Sequence, residues 1–86
     1  MTPSRPPSEE TKLKLKKLNN RMNEHKLVEK SSVENNGHDV DILVKENNLD
    51  LVKKEIQEKY DELAILEVPY IASNEYRITV GYAGRL

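Results

Sequence analysis

The sequence lacks cysteine, tryptophan and phenylalanine altogether, and its four tyrosines are the only aromatic residues among 86. Without cysteine the chain cannot form a disulfide, a zinc–thiolate or iron–sulfur centre, or a thiol nucleophile, and a reducing compartment is mildly favoured. No apolar run approaches the roughly 20 residues that a helix needs to cross a bilayer, and the first residues lack the apolar centre of a signal peptide. We therefore expect a cytoplasmic or otherwise intracellular protein that does not enter the membrane.

Charge is plentiful but nearly balanced, with 34% charged residues, 36% hydrophobic residues and a net charge of -1. Residues 1–30 hold eight Lys or Arg against four Asp or Glu, whereas residues 31–86 hold six against eleven. The basic first part and the acidic remainder can attract each other or face different partners. A chain of this length is expected to form one small domain with a modest core.

Proline is concentrated at the start of the chain. Three of the four prolines lie within residues 1–7, which predicts a disordered, proline-rich leader. Ser8 is the predicted N-cap of a basic amphipathic helix over residues 8–26, because two glutamates follow where the helix dipole favours acids. Residues 27–86 hold most of the apolar residues and are expected to form a compact α+β body.

The predicted first helix is basic and carries a narrow apolar stripe with one apolar residue outside it. The candidate partner-binding residues are Leu13, Leu15, Leu18, Met22 and His25. Such a stripe can dock in the groove of another protein, pair with its copy in a homodimer, or pack on the chain's own sheet. The basic residues that would contact nucleic-acid phosphates are Lys12, Lys14, Lys16, Lys17, Arg21 and Lys26.

The segment around the first glycine leaves two alternatives open for residues 27–34. Asn36-Gly37 favours a hairpin with a type I′ turn, because both residue types tolerate positive φ. In that hairpin Glu34 would face Asp39, at some electrostatic cost. The alternative continues the first helix to Glu34 and uses Gly37 as its C-terminal cap.

The remaining sequence predicts strands on either side of a second helix. Regular alternation over residues 39–45 and again over residues 76–82 is typical of half-buried strands. The apolar stripe of the intervening helix is Leu49, Val52, Ile56, Tyr60 and Leu63. Pro69 restricts the next apolar run to a sheet edge or a bulge. The fold class is therefore α+β: an N-terminal helix followed by a ββαββ body, with one small sheet of three to four strands covered on one face by helices.

No constellation of residues indicates catalysis or a metal site. His38, Asp39 and Asp41 lie close in the sequence, but strand alternation directs the histidine away from the two aspartates. Zinc needs three or four converging ligands, and the spacing does not match a calcium-binding loop. No serine lies in a nucleophile elbow, and no glycine-rich loop precedes a helix. We expect no catalytic residue, no metal or cofactor, and no small-molecule substrate.

The expected function is that of a non-enzymatic small binding or adaptor protein. It would act through protein–protein contacts of the N-terminal helix or of the sheet edge that carries Pro69, with another protein or its own copy as the partner. The alternative is a nucleic-acid-binding accessory protein that uses the basic helix over residues 12–26.

Overall fold

The structure, a computed structural model, describes residues 9–83. The leader predicted over residues 1–7, the predicted cap at Ser8 and residues 84–86 lie outside the described residues. The elements are α1 (Glu9–Glu24), β1 (Val28–Glu34), β2 (Asp39–Lys45), α2 (Leu49–Lys59), β3 (Leu63–Glu67), β4 (Tyr70–Ala72) and β5 (Glu75–Tyr82). The fold is α+β, with an N-terminal helix, an antiparallel sheet and a second helix between its strands.

The helix α1 forms because its apolar residues recur at helical spacing and its interior contains no glycine or proline. Glu9 and Glu10 lie in its first turn and Arg21 in its last, an arrangement that complements the helix dipole. Its fully buried apolar side chains are Leu15, Leu18 and Met22. One side of α1 therefore belongs to the core, and the opposite side faces solvent.

The hairpin of β1 and β2 is confirmed, so residues 28–34 are a strand and not a continuation of the helix. The register places Glu34 opposite Asp39, as the hairpin prediction requires. The chain reverses through three consecutive residues with positive φ: Asn35 at 53°, Asn36 at 55° and Gly37 at 87°. A hydrogen bond of 3.1 Å from the His38 N–H to the Asn35 carbonyl closes the turn. Asparagine and glycine tolerate this left-handed region, which is why the turn forms here.

The helix α2 is shorter than the apolar stripe predicts. The stripe runs from Leu49 to Leu63, but the helix ends at Lys59 and Tyr60 is non-helical, with φ -128° and ψ 76°. Leu63 is instead the first residue of β3 and is only 6% exposed. Both conformations bring this leucine to the core, so apolar spacing alone does not distinguish them. Asn48 precedes the helix, and its side chain makes no capping hydrogen bond.

The sheet has five strands, and the expectation of three to four strands in a ββαββ body was wrong. The strand order is β1-β2-β5-β3, and β4 also pairs with β5. The register against β5 shifts between Ile65 and Glu67 and again between Tyr70 and Ala72. Pro69, which has no N–H to donate, lies between β3 and β4. The expected single edge strand is therefore broken into two short strands along the same side of β5.

The core lies where the two helices meet the sheet. Its buried apolar residues on the sheet and on α2 are Val40, Ile42, Val44, Val52, Ile56, Leu63, Ile78 and Val80, and they form one cluster with those of α1. The helix α1 contacts β1, β2 and β5, and α2 contacts β2 and β3. Neither of the helices described is long and apolar enough to cross a membrane.

Candidate binding surfaces

Three of the five residues predicted to bind a partner on the first helix lie in the protein's own core. Leu15, Leu18 and Met22 are 0% exposed, so a partner would reach them only if α1 left the sheet. Leu13 lies on the outward side of the helix and is 51% exposed. Of the apolar residues in that set, Leu13 alone is accessible while α1 is in place.

His25, the fifth of these residues, joins the end of α1 to α2. Its Nε2 lies 3.1 Å from Glu55 Oε1, and its Nδ1 accepts a hydrogen bond of 3.1 Å from the Leu27 N–H. Because Nδ1 is an acceptor, a neutral ring carries its proton on Nε2 and donates it to Glu55. This side chain therefore holds the end of the helix against its neighbours.

Two asparagines of α1 cover part of the outer edge of β1. The Ser31 N–H donates to Asn23 Oδ1 at 3.1 Å, and Ser31 Oγ donates to Asn19 Oδ1 at 2.6 Å. The asparagines are four residues apart and thus lie on the same helix face. Unpaired backbone groups of an edge strand invite another strand, and the bond to Asn23 occupies the N–H of Ser31. This contact was not predicted, although the spacing of the two asparagines is visible in the sequence.

The basic residues predicted to contact nucleic acid do not form one uninterrupted surface. Lys12 Nζ lies 3.9 Å from Glu9 Oε1, and Lys14 Nζ lies 2.9 Å from Glu62 Oε1. The hydrogen bond to Glu62 raises the pKa of Lys14 above its usual value, so this amine is occupied by an internal partner. The remaining basic residues, all exposed and in no ion pair within residues 9–83, are Lys16, Lys17, Arg21 and Lys26.

A cavity of about 380 Å³ lies between the middle of α1 and the end of α2. Lys14, Lys17 and Lys59 line it together with Asp61 and Glu62. Since side chains of both signs face the same space, and one lysine is already paired with an acid, the cavity is not suited to a single kind of ion.

The acidic side chains near the hairpin turn hold neighbouring protein groups. Asp41 Oδ1 accepts a hydrogen bond of 3.0 Å from the Thr79 hydroxyl, and Asp39 Oδ2 accepts one of 3.3 Å from Asn35 Nδ2. Within the part of the chain that the structure describes, no group of three His, Asp or Glu side chains is placed to hold a metal ion. The two aspartates thus brace the hairpin internally and against β5.

The outer side of β3 and β4, residues 63–72, is named the β3–β4 edge. Tyr70 and Ile71 are adjacent in β4, and they are 55% and 44% exposed. The Tyr70 ring meets Tyr76 edge to face, with a centroid distance of 5.3 Å, and its hydroxyl accepts a hydrogen bond of 3.3 Å from the Asn74 N–H. Tyr70 is therefore held in position while about half of its surface faces solvent.

Two surfaces are thus candidates for contact with another molecule: the outward face of α1, which is basic, and the β3–β4 edge, which is apolar. No protein-family model, curated protein or solved structure matches this chain. The chemistry of the two surfaces is therefore what bears on function.

Proposed function

We propose that this chain is a non-enzymatic binding protein that contacts another protein through the β3–β4 edge. The observation that carries the proposal is the exposed but positioned side chain of Tyr70 beside Ile71. Binding energy at protein interfaces is concentrated in a few residues, among which tyrosine is enriched. Because Tyr70 already contacts Tyr76 and Asn74, it loses little conformational freedom when a partner covers it.

Recognition at this edge would rely on side chains more than on backbone pairing. An added strand needs a regular row of free N–H and C=O groups. Here the register shifts once within β3 and once within β4, and Pro69 separates the two strands. Such irregularities are common devices against strand addition. A partner would instead place its own apolar side chain against Tyr70 and Ile71.

The N-terminal helix is the less favourable route to a partner. Its apolar stripe would have to leave a core in which Leu15, Leu18 and Met22 are completely buried. We propose that both helices cover one face of the sheet and that the β3–β4 edge is its free margin. The single core cluster that joins both helices to β2 and β5 supports that arrangement.

Quantitative capture from native cells tests the proposal. We expect at least one protein, or untagged copies of the chain itself, to bind the tagged wild type and to be lost with Tyr70→Ala. Truncation of an interface hot spot costs about 2 kcal/mol or more, which corresponds to roughly a 30-fold loss of affinity. Mass spectrometry of the captured proteins measures the change.

The matched control for this capture is Leu51→Ala, which alters an apolar residue of α2 that is 60% exposed. It should leave the captured set unchanged. If every captured protein binds the Tyr70→Ala and Leu51→Ala variants equally well, the β3–β4 edge is not the binding surface and the proposal fails.

Nucleic-acid binding by α1 is the second candidate function. The observation in its favour is that Lys16, Lys17 and Arg21 are exposed and form no ion pair within residues 9–83. The inward leucines fix the helix so that these side chains point to solvent. Such side chains would contact phosphates without reading sequence.

Electrophoretic mobility shifts with random duplex DNA and single-stranded RNA over a salt series test this candidate. We expect a Lys16→Glu/Lys17→Glu variant to lose binding, while Lys53→Glu/Lys54→Glu on α2 keeps it. Each phosphate contact adds to the slope of log affinity against log salt, so the wild type should show a steep slope. Absence of binding by the wild type at low salt rules the candidate out.

In both candidate functions we place the protein inside the cell. The absence of cysteine supports this placement, because small extracellular domains often depend on disulfides.

A further inference from the structure

The turn between β1 and β2 contains a chemically reactive pair of residues. Asn36 is the only asparagine of the chain that is followed by glycine. Its side chain is exposed and forms no hydrogen bond with the residues described. Asparagine is among the thermolabile residue types, and glycine has no Cβ to hinder an approach to its nitrogen. The side-chain amide of Asn36 and the backbone nitrogen of Gly37 are therefore the two groups that can react with each other.

We infer that Asn36 is a site of spontaneous deamidation and that opening of the turn controls the reaction. The Gly37 nitrogen attacks Asn36 Cγ, and the side-chain nitrogen leaves with the Gly37 proton as ammonia. The product is a five-membered succinimide. Water then adds to one of its two carbonyl carbons, which gives either aspartate or isoaspartate at position 36. Water is the only co-reactant, and no electrons are exchanged with another molecule.

The folded turn holds the two reacting atoms apart. Asn36 has φ 55° and ψ 36°. At this ψ the Gly37 nitrogen lies nearly opposite Asn36 Cβ about the bond between Cα and the carbonyl carbon, so Cγ does not reach it. Ring closure requires a large rotation about that bond, and the left-handed turn does not allow this rotation while it is closed. The native turn therefore protects its own asparagine.

Few interactions keep the turn closed, and one pair of charges opposes it. The His38 N–H donates to the Asn35 carbonyl at 3.1 Å, and Asn35 Nδ2 donates to Asp39 Oδ2 at 3.3 Å. Glu34 lies directly opposite Asp39 in the register, and like charges in this position repel each other. Segments with exposed hydrogen bonds and few apolar contacts open locally at low free energy. The turn can thus open while the rest of the sheet stays folded.

The isoaspartate product cannot restore the original turn. Its main chain passes through Cβ and Cγ, so one carbon is added to a turn of three consecutive left-handed residues, Asn35 to Gly37. The new carboxylate also joins the two acids that flank the turn. The start of α1 lies beside this turn, because a Cβ at Gly37 would be 4.0 Å from Lys12 Cδ. Deamidation therefore loosens the end of the hairpin and changes what the first turns of α1 contact.

Incubation of the full chain in neutral buffer, folded and in urea, tests the inference. Cleavage after lysine isolates residues 31–45 for mass spectrometry, which locates the gain of one mass unit. We expect the folded protein to convert at Asn36 before any other asparagine. Conversion in urea should be at least about tenfold faster, which corresponds to a free energy of opening of at least about 1.4 kcal/mol.

Two charge variants test the control by the turn. Glu34→Gln removes the repulsion with Asp39 and keeps an acceptor for the Ser32 hydroxyl, which lies 2.8 Å from Glu34 Oε2. We expect it to slow conversion of the folded protein about two- to fivefold, the size of effect that an opposed pair of like charges has. Its rate in urea should equal that of the wild type. The matched control is Glu67→Gln in β3, which should leave both rates unchanged.

The separated isoaspartate form tests the structural consequence. It should unfold at a lower urea concentration than the unmodified protein. The variant Asn36→Asp carries the charge without the added carbon, so its midpoint should lie between the two. Capture through Tyr70 should be unaffected, because β1 and the β3–β4 edge lie at opposite margins of the sheet. The inference is thus independent of the proposed function, and either can fail alone.

Three results would overturn the inference: earlier conversion of another asparagine, equal rates at Asn36 in folded and unfolded chains, or an Asn36 that converts in urea but never in the folded protein. Equal rates for Glu34→Gln and the wild type would remove the opposed acids as a cause of opening. An isoaspartate form as stable as the unmodified protein would remove the structural consequence.

Discussion

At the residue scale, the turns depend on residues that adopt the left-handed backbone conformation, and most of these residues are asparagines. Within residues 9–83, the residues with positive φ are Asn35, Asn36, Gly37, Ser73 and Asn74. Asparagine tolerates this region better than most residues, since its short polar side chain bonds locally. A chain with only three glycines can thus close two hairpins. At Gly37 the φ of 87° is the largest of the set, so the need for glycine is strongest there.

We predict that Gly37→Ala lowers the free energy of unfolding by about 1 kcal/mol, because alanine is strained at positive φ. Crowding does not contribute, since an added Cβ would meet only Lys12 Cδ, at 4.0 Å. Urea unfolding measures the loss. Asn36→Gly is the control, and it should be neutral or slightly stabilising. A Gly37→Ala variant as stable as the wild type would show that the turn relaxes to another conformation.

At the scale of the element, α1 is part of the core and also a cover for β1. It contributes three of the fully buried side chains, and its asparagines accept hydrogen bonds from the N–H and the hydroxyl of Ser31. The link between His25 and Glu55 at 3.1 Å secures its end. The sequence pattern does not reveal this dual role, because an apolar stripe looks alike whether it packs internally or against a partner.

We predict that Leu15→Ala costs about 2–5 kcal/mol of stability, as large-to-small changes in cores do. Leu13→Ala, on the outward side of the same helix, should stay within about 0.5 kcal/mol of the wild type. Thermal and urea unfolding compare the two. Equal, small effects would mean that α1 does not remain docked in solution.

At the scale of the whole molecule, the hairpin and the helices were predictable, while the free edge was not. Asn36-Gly37 favoured the reversal because so few residue types accept its backbone, but a first helix capped by Gly37 was the alternative until the register of β1 and β2 excluded it. The expected length of α2 failed at Leu63, where helix and strand bury the same side chain. The exposure of Tyr70 and Ile71 could not be read from an apolar run, since burial there depends on which strand pairs alongside. Pro69 indicated an edge or bulge, yet the split into two strands depends on the pairing with β5.

The contact between Ser31 and α1 also makes the exchange of one backbone amide hydrogen depend on the position of the helix. On an edge strand, amide hydrogens that face away from the sheet ordinarily exchange with solvent quickly. The Ser31 N–H is instead held by Asn23 at 3.1 Å. Its hydrogen can be replaced by deuterium only when this hydrogen bond opens, either because the exposed Asn23 side chain rotates or because α1 moves away from β1. The exchange rate at this single position therefore sets an upper limit on how often the helix departs, in the unaltered protein.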